Sequence, residues 1–140
     1  IRKTRRVVPD NIRYVKEMGK EIDKINMFFT DMEARKRMHV SLGQIPGILV
    51  TSSIPNNLEI NAAGADKGSA LLRLAEFLGI GREETMAFGD GENDLSMLRA
   101  AGLGIAMENG EEQVKQAADF VTVSNNDAGV ASAIRKFVLE

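Results

Sequence analysis

The stretch Phe88-Gly89-Asp90-Gly91-Glu92-Asn93-Asp94 carries the residues of this chain best suited to chemistry. Asp90 follows an apolar run directly, and ligands of parallel α/β sheets bind beyond the carboxyl ends of the strands. Gly89 and Gly91 on either side let the backbone turn sharply and let a ligand approach closely. Asp94 comes four residues later, where a helical pattern opens, so both carboxylates can face one point. Two such oxygens suit a hard cation, and Mg²⁺ takes one or two carboxylates together with waters and a substrate phosphate. The same spacing excludes two other loops. An EF-hand wants Gly where Leu95 stands and Glu where Ala101 stands. A dinucleotide fingerprint wants a third glycine, and this loop is acidic where a pyrophosphate would lie. From spacing alone, Asp90 and Asp94 serve equally well as turn and cap residues.

Lys67 is the second candidate, in Ala65-Asp66-Lys67-Gly68-Ser69 at a helix start that Asp66 can cap. A lone lysine there reads as a solvated side chain. Its chemical role would be to neutralise a phosphoryl group, which a compact ammonium does well. Only a relation to the acidic loop gives that role weight.

The elements that must position these residues fall into two rhythms. Pro9 and Asp10 open a helical pattern carried by Ile12, Val15, Met18 and Ile22, with Gly19 a weak point. A short buried strand is predicted over Ile25 to Phe29, then a charged helix from Asp31 to Leu42 ending near Gly43. Gly47 to Ser53 and Leu58 to Asn61 read as strands joined by the turn Pro55-Asn56-Asn57. To about residue 62 this makes a small α/β unit. Beyond it, Lys67 to Leu78 is an amphipathic helix with Leu71, Leu74, Ala75 and Leu78 on one face, stopped by Gly79 and Gly81. Strand Thr85 to Phe88, helix Asp94 to Ala101, strand Leu103 to Ala106, helix Glu111 to Ala118, strand Phe120 to Val123 and a last helix Asp127 to Val138 follow. Such alternation means βαβ units and a parallel sheet.

Composition narrows the function classes. The 140 residues are 44% hydrophobic and 27% charged, as in a soluble globular protein. A net charge of −2 gives no global case for nucleic-acid or membrane binding. Cysteine is absent, which removes disulfides, thiolate metal sites and a cysteine nucleophile, and fits a reducing cytoplasm. No apolar run approaches the roughly 18 residues of a membrane span, and nothing resembles a signal peptide. The chain opens at Ile1 on the basic run Arg2-Lys3-Thr4-Arg5-Arg6, read as a solvated segment near a cut end of a longer protein, with a phosphate-binding arm as the rival reading. His39, the single histidine, reads as an ordinary helix residue, and Met86, Met97 and Met107 as core filling.

Lys67-Gly68, followed about two dozen residues later by Gly89-Asp90-Gly91-Glu92-Asn93-Asp94-Leu95-Ser96-Met97-Leu98, resembles the third and fourth motifs of the haloacid dehalogenase superfamily. Leu58-Glu59-Ile60, Gly104-Ile105-Ala106-Met107 with Asn109-Gly110, Ala117-Ala118-Asp119, and Asn125-Asn126-Asp127-Ala128-Gly129-Val130-Ala131 keep the order of its Cof-type branch. The match is dense from about residue 58 onward and looser over residues 1–57, which resemble the last part of an α/β cap. The resemblance implies an α/β fold: a parallel-sheet half-core with helices on both faces over residues 63–140, plus a cap remnant over 1–62.

By the same resemblance Asp90 is a magnesium ligand and Asp94 a supporting carboxylate beside it. Asn93 contacts the substrate phosphate, and Lys67 is the catalytic residue that neutralises the phosphoryl group. The implied reaction is Mg²⁺-dependent hydrolysis of a phosphate monoester of a small metabolite or sugar. An aspartate attacks phosphorus, and water then releases the aspartyl-phosphate. The nucleophile of the family lies in an Asp-x-Asp-Gly-Thr motif, which does not occur here. Thr30-Asp31-Met32-Glu33-Ala34 is the nearest look-alike, and Asp31 reads instead as the cap of a surface helix. The resemblance therefore implies the C-terminal half of a phosphatase, inactive alone, or a non-catalytic fragment or degenerate homologue that binds phosphate or a partner chain. It also implies a strand missing beside residues 85–88, supplied by an N-terminal half, by a second copy pairing at that edge, or by a rearranged strand of the cap remnant.

Overall fold

The computed structural model describes residues 7–19 and 21–140. The basic run Arg2 to Arg6 lies outside them. Helix α1, Asn11–Met18, starts under Asp10, whose carboxylate accepts the Arg13 amide. It stops at Gly19, in the left-handed conformation at φ 61°, short of the expected Ile22. Strand β1 (Ile25–Phe28), helix α2 (Met32–Gly43), and strands β2 (Ile48–Thr51) and β3 (Asn57–Ala62) complete the first unit. Asp31 caps α2 as expected, accepting from the Glu33 and Ala34 amides. The strands form an antiparallel sheet in the order β1-β3-β2. β1 is an edge strand with Ile25 and Phe28 largely exposed, a correction to its expected burial. β3 lies between two partners, and its first three residues, Asn57, Leu58 and Glu59, are buried.

The second unit follows the predicted alternation. Helix α3 is Lys67–Leu78, β4 is Met86–Gly89, α4 is Leu95–Ala100, β5 is Leu103–Met107, α5 is Glu112–Ala117, β6 is Phe120–Thr122 and α6 is Gly129–Ile134. All three strands run parallel in the order β4-β5-β6. Side chains of β5 alternate between faces. Ala106, with Ala87 of β4, meets Leu98, Ala101 and Val114 beneath α4 and α5. Ile105 and Met107 point the other way, where the Met107 methyl group lies against Gly129 of α6. Helices thus cover both faces. Met86 and Met97 are half-buried and Met107 is 5% exposed, in keeping with core filling.

Two corrections concern helices. The stripe expected on α3 is only partly covered: Leu71 packs against the core and Ala75 is buried, yet Leu74 and Leu78 are 56% and 57% exposed. Its packing partner is α4, which covers just the side bearing Gly68, Leu71 and Ala75. The last helix does not run unbroken from Asp127 to Val138. A 3₁₀ turn at Asn125–Asp127 leads to Ala128 at φ 57°, α6 begins afresh, and a π-helical stretch, Arg135–Leu139, ends the chain.

One glycine fixes how closely the two helices flanking the site approach. A Cβ on Gly68 would sit 2.4 Å from the Ser96 carbonyl oxygen, so α3 touches α4 through backbone. β4 has β5 on one side and, among the described residues, no strand on the other.

Candidate active site

The loop after β4 is held from within by Asp94. This residue is buried, at 6% exposure, beneath the 3₁₀ turn Glu92–Asp94 that opens α4. Its Oδ2 accepts the amides of Asp90 (3.1 Å) and Gly91 (3.3 Å), and its Oδ1 accepts Lys67 Nζ. Both oxygens are committed to protein donors. The picture of two carboxylates facing one open point therefore changes: Asp94 turns inward and organises the loop, while Asp90 stands exposed at the end of β4. The ion pair spans 27 residues of sequence and joins the start of α3 to the β4–α4 loop.

Local sequence explains the arrangement. Asp66 caps α3, accepting from the Ser69 amide (3.0 Å) and hydroxyl (2.8 Å), so Lys67 begins the helix on the side of the acidic loop. Those bonds, the amide foremost, hold the Asp66 carboxyl below its ordinary 3.8. Gly68 donates its amide to Ser96 Oγ at 3.2 Å, which ties α3 to α4 beside Lys67. Gly89 leaves room for Asp94: a Cβ there would lie 2.5 Å from the Asp94 Cβ. A second loop supports Asp90 from below, a role the sequence did not declare. Glu111 donates its amide to the Asp90 carbonyl (3.0 Å), and a Cβ on Gly110 would come within 3.1 Å of the Asp90 Cα. Asn109 accepts the Asn125 amide at 2.8 Å and fixes that loop in turn. The only signal in sequence was the tight Asn109-Gly110 pair after a strand.

A cleft of about 510 Å³ lies between the antiparallel sheet and the start of α3 and α4. Lys67 and Asn93 line it, with Asp66, Glu92 and Ser96. Asp90 does not line it; its link to the cleft is Asp94. The opposite wall includes Lys24 and Glu59, which sequence reading passed over, Glu59 being noted only within Leu58-Glu59-Ile60. Glu59 accepts from Lys24 Nζ (2.7 Å), Ser53 Oγ (2.6 Å) and Asn57 Nδ2 (3.3 Å). The Lys24 ammonium, then the Ser53 hydroxyl, hold its carboxyl below the ordinary 4.5 despite burial.

The donor set fits a magnesium ion in part. Asp90 offers one exposed carboxylate at a strand end, and Mg²⁺ accepts one or two carboxylates with waters and phosphate for the rest. Among the described residues no group of three His, Cys, Asp or Glu side chains converges. The described residues would offer such an ion one carboxylate rather than a cage.

A parallel sheet with its acidic loop at the carboxyl end, a lysine bonded across to that loop, and a small sheet over the cleft agree with what comparison with known proteins finds. The chain belongs to the haloacid dehalogenase-like hydrolases, whose family model matches residues 1–134, and within them to the Cof-type branch. It is 40% identical over 116 residues to a 5-amino-6-(5-phospho-D-ribitylamino)uracil phosphatase of Bacillus subtilis, covering 83% of this chain and 47% of that protein. A haloacid dehalogenase-like hydrolase from B. subtilis superposes with a TM-score of 0.79 at 37% identity, over 88% of this chain and 45% of the other. The subclass IIB sugar phosphatase BT4131 superposes with the same score, 0.79, at 33% identity, over 91% and 47%. The chain thus spans about half the length of the relatives it matches.

Proposed function

We propose that this chain furnishes the phosphate-handling half of a phosphate-monoester hydrolase centre. Lys67 neutralises the phosphoryl group, Asn93 donates its amide to a phosphate oxygen, and Asp90 is the carboxylate for Mg²⁺. Asp94 is a positioning residue that aims Lys67 and holds the loop. The observation that carries this reading is the Lys67–Asp94–Asp90 connection, in which one buried carboxylate binds the cation with one oxygen and the loop amides with the other. Positioning and charge neutralisation do most of the work in phosphoryl transfer, so such an arrangement is what the chemistry asks of this half. Mg²⁺, when bound, would polarise the phosphoryl oxygens.

The substrate class proposed is a small phosphorylated metabolite, in line with the ribityl and sugar phosphatases among the relatives. No Asp-x-Asp-Gly-Thr occurs in the 140 residues, so this chain by itself forms no phosphoenzyme and turns nothing over. The outer edge of β4 is the proposed place for a further strand, from an N-terminal half or a second copy. A reducing, cytoplasmic setting suits the cysteine-free sequence, and among the described residues no helix is long and apolar enough to cross a membrane. Calorimetric titration with inorganic phosphate in the presence of Mg²⁺ tests the reading. Binding should fall at least tenfold in Lys67→Met, and the Mg²⁺ requirement should vanish in Asp90→Asn. Equal binding by wild type and both variants rejects it.

A further inference from the structure

The far wall of the cleft holds a feature that phosphate handling does not use. Of the fourteen lining residues, ten are polar or charged, which suits a hydrophilic guest. Three cations (Lys24, Lys67, Arg99) and three anions (Glu59, Asp66, Glu92) line the cleft as a whole, so its charge is balanced before any phosphate enters. Several of these charges are already engaged. Lys67 pairs with Asp94, and Asp66 caps α3. Lys24 and Glu59 pair with each other at 2.7 Å.

The two partners of that pair differ in what they have left. Glu59 accepts from three donors and is 8% exposed. The Lys24 side chain is 47% exposed and donates one bond among the described residues, to Glu59. An ammonium carries three donors, so two N–H groups of Lys24 stay available at the cleft. The buried Asn57 and the exposed Ser53 fix Glu59, and Glu59 fixes Lys24. The result is a held donor whose charge is already cancelled.

We infer that Lys24 is a specificity-determining residue that reads the leaving group. It donates to a neutral acceptor oxygen, a hydroxyl or carbonyl, on a hydroxylated chain esterified to the phosphate. A second anionic group gains little there, because Glu59 neutralises the ammonium at contact distance. The inference rests on the reading above, in which the phosphate sits at Lys67 and Asn93 on the near wall.

The test is a set of amide chemical-shift titrations of the full chain with Mg²⁺, using sorbitol 6-phosphate, n-butyl phosphate and inorganic phosphate. Wild type should favour sorbitol 6-phosphate over n-butyl phosphate by about tenfold, the size of one charge-assisted hydrogen bond. Lys24→Met should erase that preference and leave inorganic phosphate unchanged, while Lys67→Met weakens all three. Glu59→Gln, which frees the ammonium charge, should bind 6-phosphogluconate, titrated as a fourth ligand, more tightly than sorbitol 6-phosphate. A preserved preference in Lys24→Met, an equal loss for all three ligands, or a preference that depends instead on Arg99→Met overturns the inference. If inorganic phosphate ignores Lys67→Met while sorbitol 6-phosphate still responds to Lys24→Met, the phosphate placement falls and the role of Lys24 stands. If no ligand binds, both fall.

Discussion

Replacing Asp94 by Ala removes the carboxylate that, among the described residues, joins Lys67 to the Asp90 loop, and its cost follows from the geometry. Two loop amides lose their acceptor, at 3.1 and 3.3 Å in the native structure. A donor left unsatisfied in full burial costs about 1–3 kcal/mol, but Asp90 lies at an exposed loop, so water recovers part of this. The ion pair adds little more, since the Lys67 side chain is 48% exposed and a pair open to solvent on one side is worth about 1 kcal/mol or less. The total is roughly 2–3 kcal/mol, a sizeable share of the 5–15 kcal/mol typical of native proteins. Urea denaturation should show a lower midpoint with the slope unchanged. Asp94→Asn keeps one oxygen for the two amides but sets an NH₂ donor where Lys67 Nζ now finds an acceptor, so it forfeits the ion pair and should lose about 1 kcal/mol. An Asp94→Ala midpoint indistinguishable from wild type would refute the claim that this carboxylate organises the loop. So would an Asn variant as damaged as the Ala variant.

Further outcomes follow from the same contacts. Gly68→Ala should be more destabilising than Ala70→Gly, a substitution at an exposed site of the same helix, because its Cβ would meet the Ser96 carbonyl at 2.4 Å; thermal melts of the two variants make the comparison. Glu59, whose carboxyl is held below 4.5 by Lys24 and Ser53, contributes stability that is full above the unfolded value and fades as pH falls through the folded one. The stability gap between wild type and Glu59→Gln should therefore be full above 4.5 and narrow as pH falls below it through the lowered folded value; a gap that grows on acidification contradicts the pairing. The outer edge of β4, which has no partner strand among the described residues, should pair, so sedimentation should show concentration-dependent association or a co-purifying fragment, and a monomer at all concentrations rejects the proposed strand. The chain should release no p-nitrophenol from p-nitrophenyl phosphate above background, and Mg²⁺-dependent turnover lost on Asp90→Ala would show that the chain carries a nucleophile of its own.

The parallel unit was the more legible part of the fold. Its apolar runs are short, each ends on Gly or a polar residue, and each is followed by a helical repeat, so the strands at 86–89 and 103–107 could be placed within a residue or two. The Asp66 and Asp31 caps were equally open, because side-chain capping is a local interaction. Burial was harder to foresee. Ile25 and Phe28 have core chemistry but lie on an edge strand, and Leu74 and Leu78 continue an apolar stripe beyond the reach of α4. Which oxygen faces which donor also lay outside the sequence: Asp94 and Asp90 have the right spacing to converge, and only the fold turns Asp94 toward Lys67. Lys24 had no local signal, since it comes to the cleft through a partner 35 residues away in sequence.

Crystals of the chain soaked with Mn²⁺ and tungstate, each located by anomalous scattering, test the proposed centre most directly. Mn²⁺ should sit on the Asp90 carboxylate, and tungstate within hydrogen-bond reach of Lys67 Nζ and the Asn93 amide, with Asp94 still bonded to the Asp90 and Gly91 amides. Tungstate held elsewhere, for instance at Arg135 and Lys136, or Mn²⁺ away from Asp90, would contradict it.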